Sequence, residues 1–354
     1  MKKKVLFCAY DLNIGGIENA LINLLNNFNY DKYDVTLILE KKEGILFDKL
    51  NDKVKVLEYS VSTNKNVFLR KLSNFFKRFF WTIKNYHKYD FSCCYATYSF
   101  ACNMLAYYGS SNNSFYIHSN YKDIYNESDL RIFFGSRRIK KFKSIIFVSN
   151  ESKNDLISFY PNIINNSYVI NNLVDYDNIV NLSREKISFT TTYKNIFVFV
   201  GRLEEKSKRL SKMIKVFAKM SDVELLIVGD GEDYDMYKEM VEKYDNIKML
   251  GAKKNPYPYM KLADYVILTS DYEGFPVVYS EAIVLGKKII STVDVSDDYI
   301  SIPNRFGYII SKNIDEMYEQ LVGIINNDNL SMEKVDFKKL NVNRIKMIEK
   351  LIES

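Results

Sequence analysis

Short apolar runs alternate with stretches of helical periodicity along almost the whole chain. In the first half they predict strands at Lys4–Ala9, Val35–Glu40, Val54–Tyr59, Phe91–Ala96, Phe115–His118, Ile145–Ser149 and Tyr168–Asn171. In the second half they predict strands at Ile196–Gly201, Glu224–Gly229, Ile247–Leu250, Tyr265–Ser270, Lys288–Thr292 and Gly307–Ile310. Short apolar runs bounded by polar turns fit strands buried on both faces. Strands that alternate with helices predict an α/β protein with parallel sheets covered on both sides. The segment from Asn171 to Thr192 is polar, with few periodic apolar residues, and reads as a linker. Two doubly wound, Rossmann-like domains are therefore expected, residues 1–175 and 176–332, followed by a last helix within 333–354. Two such domains facing each other would make a central cleft, with ligands at the carboxyl ends of the strands.

A length of 354 residues is enough for two domains, each with its own core, and 47% apolar and 27% charged residues are ordinary for a globular chain. The run Val5–Ala9 is too short for a signal-peptide core. The long uncharged stretch from Phe91 to Tyr121 contains Ser, Thr, Asn and Gly throughout and reads as strand, helix and strand. A cytoplasmic location is the expectation. Cys8, Cys93, Cys94 and Cys102 show no C-x-x-C spacing and read as reduced, buried thiols. His87 and His118 lie far apart in sequence, so no His- or Cys-based metal site is expected.

The most informative stretch is Glu273-Gly-Phe-Pro-Val-Val-Tyr-Ser-Glu281, which follows the strand candidate at Tyr265 and is closed by Gly286, a helix stop. Glu273 should sit in a strand-to-helix loop. The N–H groups from Gly274 to Tyr279, Pro276 excepted, should open the helix, where they attract phosphate or sugar oxygens. Glu281 should fall about two turns in, placed to accept hydrogen bonds from a hydroxyl pair. This stretch resembles the E-x7-E signature of the retaining glycosyltransferases of family 4, whose two-domain architecture is the GT-B fold.

Other segments carry the same resemblance. Gly15-Gly16 follows the first strand, where adjacent glycines let backbone approach a ligand or make a tight turn. Gly201-Arg202-Leu and the following Lys208 resemble the family block that clamps the donor diphosphate. Counting back from Phe217, Lys208 fits the family lysine better than Lys206. Cations at a helix start are otherwise disfavoured by the dipole, which argues for a ligand-binding role. Gly229-Asp-Gly231 lacks the third glycine of a dinucleotide fingerprint, since Tyr234 stands in its place. Asn255-Pro-Tyr257 resembles the family loop that borders the nucleotide base. A lone histidine is usually structural, but His118, at a strand end, matches a family histidine near the donor sugar or diphosphate.

The resemblance implies a retaining glycosyltransferase that transfers a hexosyl or N-acetylhexosaminyl group from a nucleotide sugar, a UDP-sugar first, to a glycan or lipid-linked acceptor. The setting it implies is capsule, exopolysaccharide, lipopolysaccharide or teichoic acid synthesis. Glu273 and His118 would act at the sugar; Arg202 and Lys208 would take the diphosphate and Glu281 the ribose. Gly274, Phe275, Val277 and Val278 would line the donor site, and Gly15 and Gly16 the opposing wall. No metal or other cofactor is implied. It further implies that the last helix, roughly Glu333 to Glu353, crosses back to the first domain. The alternative is a non-catalytic, sugar-nucleotide-binding partner of a glycan-assembly complex.

Charge adds one further expectation. Ser60 to Ser144 holds 14 Lys and Arg against 4 Asp and Glu, while the whole chain is only +6. Within it, Phe68, Leu72, Phe75, Phe76, Phe79, Phe80 and Ile83 recur at helical spacing among basic residues between 65 and 84. Two readings stand: a helix packed on its own sheet, or a basic amphipathic helix lying on the anionic inner face of the cell membrane. No helix-turn-helix, zinc-finger or RNP-type pattern supports nucleic acid as a partner.

Overall fold

The computed structural model describes residues 1–13, 15–294 and 302–354. Two compact units are present: Met1–Leu173 together with Lys339–Ser354, and Val174–Lys338.

The first unit holds seven parallel strands: β1 (Lys3–Ala9), β2 (Tyr33–Leu39), β3 (Lys55–Glu58), β4 (Phe91–Cys94), β5 (Asn113–Ile117), β6 (Ser144–Phe147) and β7 (Ser167–Val169). Their order is β3-β2-β1-β4-β5-β6-β7. The second unit holds six: β8 (Asn195–Val200), β9 (Val223–Val228), β10 (Ile247–Gly251), β11 (Tyr265–Leu268), β12 (Lys288–Ser291) and β13 (Gly307–Ile309), in the order β10-β9-β8-β11-β12-β13. Every strand pairing between them is parallel, and each of the thirteen strands expected from the sequence is present, with small differences at the ends. The central strands are buried on both faces, which is why they read as continuous apolar runs: Val5 to Cys8 and Phe197 to Phe199 are at most 1% exposed.

The order of strands fixes where ligands can approach. In the second unit the chain winds from β8 through β9 to β10, then returns to the other side of β8 for β11, β12 and β13. The loops after β8 and β11 thus diverge from adjacent strands, making a topological switch point at the carboxyl edge. Tyr265 pairs with Phe197, and Val266 with Val198, in that central ladder. The first unit has the equivalent switch point between β1 and β4.

The last helix runs from Phe337 to Glu353, beginning later than the Glu333 suggested by the sequence. It packs on the first unit: Ile348 and Ile352 are buried, Arg344 Nη1 donates to Asn172 O at 2.8 Å, and Lys3 pairs with Glu353 at 2.6 Å. The four cysteines are buried free thiols, and burial raises their pKa values. Among the described residues no helix is long and apolar enough to cross a membrane.

The helix Val67–Asn85 settles which way its aromatic stripe points. Its half-buried positions, Arg70, Ser73, Asn74, Arg78, Trp81 and Thr82, share one face, and only Asn85 is buried. The stripe lies on the opposite side: Phe68 is 71% exposed, Phe75 61% and Phe80 65%. Of the two readings the sequence left open, packing of these rings on their own sheet is therefore excluded. Inward contacts are made instead by Trp81 against Tyr59, Thr82 against Met104 and Asn74 with the backbone N–H of Ser62.

Candidate active site

The switch point of the second unit gathers Lys208, Ser270 and Glu273. Lys208 ends a short helix, Glu205–Lys208, and Arg209 then turns the chain through a left-handed residue (φ 52) into the helix Leu210–Phe217. Lys208 is thus at a helix carboxyl end, not at a helix start as the sequence suggested. Its Nζ donates to Glu273 Oε1 at 2.5 Å, and the Ser270 hydroxyl donates to the same oxygen at 2.6 Å. The Glu273 residue is only 9% exposed. A carboxylate this buried requires such partners.

Two further bonds tie the loops together. Thr269 Oγ1 donates to Lys208 O at 3.0 Å, and Asp271 N donates to Ser207 O at 2.9 Å. Arg209 pairs with Asp271 alongside. Lys206, the other candidate lysine, is exposed. Arg202, just after β8, is exposed and has no ion-pair partner among the described residues.

The helix after Glu273 runs from Val277 to Val284, with Pro276 as its N-cap. Glu281 is its fifth residue, a little over one turn in rather than two. Its Oε1 accepts from the Tyr257 hydroxyl at 3.0 Å. Burial first, and then the Glu281 charge, raise the Tyr257 pKa far above its ordinary value, so the phenol stays a donor. Tyr279 N–H is already used by Pro276 O at 3.1 Å, which removes it from the donors expected here. Val277 and Val278 are the first two helical residues, with N–H groups that precede any intrahelical acceptor. Gly274 and Phe275 are buried in the loop before them. Gly286 adopts φ 68 beyond the helix, and Lys287 N donates back to Ala282 O at 2.8 Å, the stop read from the sequence.

Gly229 and Gly231 have a packing reason. A Cβ on Gly229 would lie 1.9 Å from Gly201 O, and one on Gly231 would lie 2.3 Å from Leu203 O. The two glycines let the loop after β9 press against the loop carrying Arg202. Asn255 bonds Leu182 O at 2.9 Å and holds the segment leading to Tyr257.

In the first unit, Gly15 is the N-cap of the helix Gly16–Asn26, with extended backbone (φ −167), and a Cβ on Gly16 would meet nothing within 4 Å among the described residues. Neither glycine is required by a tight turn. His118 lies just past β5 and is 9% exposed. Its Nε2 lies 3.0 Å from Tyr95 O in the loop after β4, and its ring stacks on Tyr116 at 4.7 Å. A carbonyl only accepts, so Nε2 carries the proton and Nδ1 holds a lone pair. Nδ1 is buried without a hydrogen-bond partner among the described residues. Burial pushes the His118 pKa down to about 3, which keeps the ring neutral.

Tyr257 and Ser270 are the residues that sequence reasoning passed over. Both stood inside quoted segments, but only the fold shows that their hydroxyls reach Glu281 and Glu273.

The fold is GT-B. HepE of Anabaena, solved with UDP and glucose, superimposes with a TM-score of 0.74 at 17% identity, covering 99% of this chain and 100% of that one. TarM of S. aureus, in a complex with Fondaparinux, alpha-GlcNAc-glycerol and UDP, gives a TM-score of 0.74 at 16% identity, with coverage of 99% and 100%. Residues 183–337 match the family described as glycosyl transferases group 1, so the second unit carries a domain of that type. An uncharacterized glycosyltransferase of Methanocaldococcus jannaschii is 29% identical over 163 residues, 43% of this chain and 40% of the relative. The amylovoran biosynthesis glycosyltransferase of Erwinia amylovora is 25% identical over 192 residues, 51% of this chain and 53% of the relative. The N-acetylgalactosaminyltransferase of Campylobacter jejuni that acts on a diphospho-undecaprenol-linked glycan is 26% identical over 169 residues, 46% of this chain and 45% of the relative. The chain thus spans about half the length of the curated relatives it matches.

Proposed function

We propose that the chain is a retaining glycosyltransferase of the family 4 type. It moves a hexosyl or N-acetylhexosaminyl group from a UDP-sugar to a hydroxyl of a glycan or lipid-linked acceptor, in surface-polysaccharide synthesis on the cytoplasmic side of the membrane. The observation that carries this reading is the Lys208–Glu273 contact, which joins the loops after β8 and β11 at the switch point. Nucleotides bind at such points in open α/β sheets. The complex of HepE with UDP and glucose supports the choice of UDP.

In this reading Glu281, oriented by Tyr257, accepts from the ribose hydroxyls. Lys208 and Arg202 face the diphosphate, whose negative charge grows as the bond to the sugar breaks. Fixed cations stabilise that charge without reorganisation, and this differential stabilisation lowers the barrier. Glu273 holds Lys208 in place and accepts from the sugar, while the N–H groups of Val277 and Val278 donate to it or to the phosphate. The family resemblance assigns the acceptor proton to the departing phosphate on the same face of the sugar, so the linkage keeps its anomeric configuration.

A donor screen tests this. UDP-, GDP-, ADP- and CDP-sugars are compared by thermal shift, and the best donor is followed by NMR through its turnover. A ligand at about 100 times its Kd adds about 2.7 kcal/mol of stability. Stabilisation by UDP-sugars and an α product from an α-linked donor are expected. No response to any nucleotide sugar would overturn the assignment, and a β product would overturn retention.

A further inference from the structure

The outward face of the helix Val67–Asn85 has no partner among the described residues, and its composition identifies what it fits. The apolar residues Phe68, Leu72, Phe75, Phe76, Phe79 and Phe80 are between 42% and 71% exposed. They cover roughly 140° of helix surface at about 100° per residue. Their rings touch one another rather than the core: Phe75 stacks on Phe79 at 6.4 Å, and Phe76 on Phe80 at 6.4 Å. A shallow groove among Phe68, Leu72 and Phe75 is edged by Lys71 and Arg78. On the opposite edge lie Lys77 and Lys84. From Tyr59 to Tyr89 the chain holds seven Lys and Arg and not one Asp or Glu.

We propose that this face docks on an anionic lipid surface, with the helix lying in the plane of the membrane interface. The rings would enter the headgroup and acyl boundary, while the flanking cations meet lipid phosphates. Charge decides against a second copy of the chain as occupant. Two such faces brought together would oppose cations with cations, with no acidic residue in the segment to relieve them. The inward face is anchored by Asn74, Trp81 and Thr82, so the apolar stripe can be buried in lipid without unpacking the unit. This inference does not depend on the transfer reaction proposed above, because its readout is binding alone.

The test is co-sedimentation of the full chain with phosphatidylglycerol/phosphatidylcholine vesicles, with pure phosphatidylcholine vesicles, and at low and high salt. Two variants are compared, Phe75→Ser/Phe79→Ser/Phe80→Ser and Lys71→Glu/Lys84→Glu. All five side chains are exposed, so both variants should melt at the wild-type temperature. Binding to the anionic vesicles, weakened by salt, is expected. Each basic residue near such a surface contributes about fivefold in partitioning, so the Lys variant should fall by at least about 25-fold. The Phe variant should fall by at least about tenfold. No binding, equal binding to neutral vesicles, or equal binding by either variant overturns the proposal. So does a wild-type dimer in ultracentrifugation that the Phe variant abolishes, since that assigns the face to a second copy.

Discussion

Lys208 and Glu273 are 65 residues apart in sequence, and the Lys208 ammonium donates to the Glu273 carboxylate at 2.5 Å. The contact exists because β8 and β11 are neighbours while the chain leaves them in opposite directions. In the proposed function this cation faces the donor's diphosphate and this anion its sugar. Lys208→Ala should lower kcat/KM by about 100-fold or more, the scale of one lost preorganised charge contact. It should also lower Tm, because Glu273 would stay buried with Ser270 as its remaining hydroxyl donor. Lys206→Ala should leave both nearly unchanged, since Lys206 is exposed. Steady-state kinetics and melting curves on the two variants decide the assignment, and equal losses would refute it.

If Lys208 and Arg202 supply the countercharge for the leaving diphosphate, activity should survive EDTA. The expected result is turnover within about twofold of the untreated protein. Loss of activity restored by Mg²⁺ or Mn²⁺ would show that protein cations are not sufficient.

Tyr257 and Glu281 should separate nucleotide binding from chemistry. The Tyr257 hydroxyl restrains the carboxylate through one hydrogen bond to a charged group, worth about 1.5–3 kcal/mol in the general case. Part of that returns as water replaces the phenol. Tyr257→Phe should raise the UDP Kd and the donor KM by about 3- to 10-fold and leave kcat within about twofold. Glu281→Ala should raise the Kd further. Calorimetric titration of UDP reads this directly. A fall in kcat with unchanged Kd would place Glu281 at the reacting sugar rather than at the ribose.

His118 sets an acid limit on stability. An unfolded imidazole titrates near 6.5, whereas burial pushes this one down to about 3 in the fold. Between those values the unfolded chain binds the extra proton, so stability rises with pH. The contribution is complete above about pH 6.5 and is lost as pH falls toward 3. His118→Gln should flatten the dependence of Tm on pH across that window, as measured by calorimetry. Because the ring does not titrate near neutrality, it should add no limb to the rate profile between about pH 6 and 9.

The sequence was most legible where burial enforced a pattern. Strands buried on both faces, such as β1, β8 and β11, announce themselves as apolar runs, and the thirteen expected from them are all present. Glu273 stands out because a carboxylate is unusual in so buried a loop, and Gly286 because glycine beyond the last helical residue marks a helix stop; Lys208 was legible only through its resemblance to the family block, since its place read as a helix start. What could not be read was rotation and reach. The periodicity of the helix Val67–Asn85 is the same whether its rings face inward or outward. Only Asn74, Trp81 and Thr82, which bind the inner surface, settle it. Likewise the depth of Glu281 depends on where the helix begins. Pro276, acting as N-cap instead of lying inside the first turn, shortens the helix at its front.

The glycines give the sharpest contrast between a structural and a functional requirement. Gly229 cannot accept a side chain, because its Cβ would lie 1.9 Å from the Gly201 carbonyl, and backbone on both sides leaves nothing to yield. Gly229→Ala must therefore separate the loops after β8 and β9, at a cost of about 3 kcal/mol or more, with a matching fall in Tm. Gly16 is the opposite case. It opens the helix Gly16–Asn26, and a Cβ there meets nothing within 4 Å among the described residues. Alanine is also the better helix former, so Gly16→Ala should leave Tm unchanged or slightly raised. If a substrate must approach this backbone closely, the same methyl should lower kcat/KM by about tenfold or more. Stability unchanged with activity reduced would assign Gly16 to binding. Full activity in Gly16→Ala would remove it from the site.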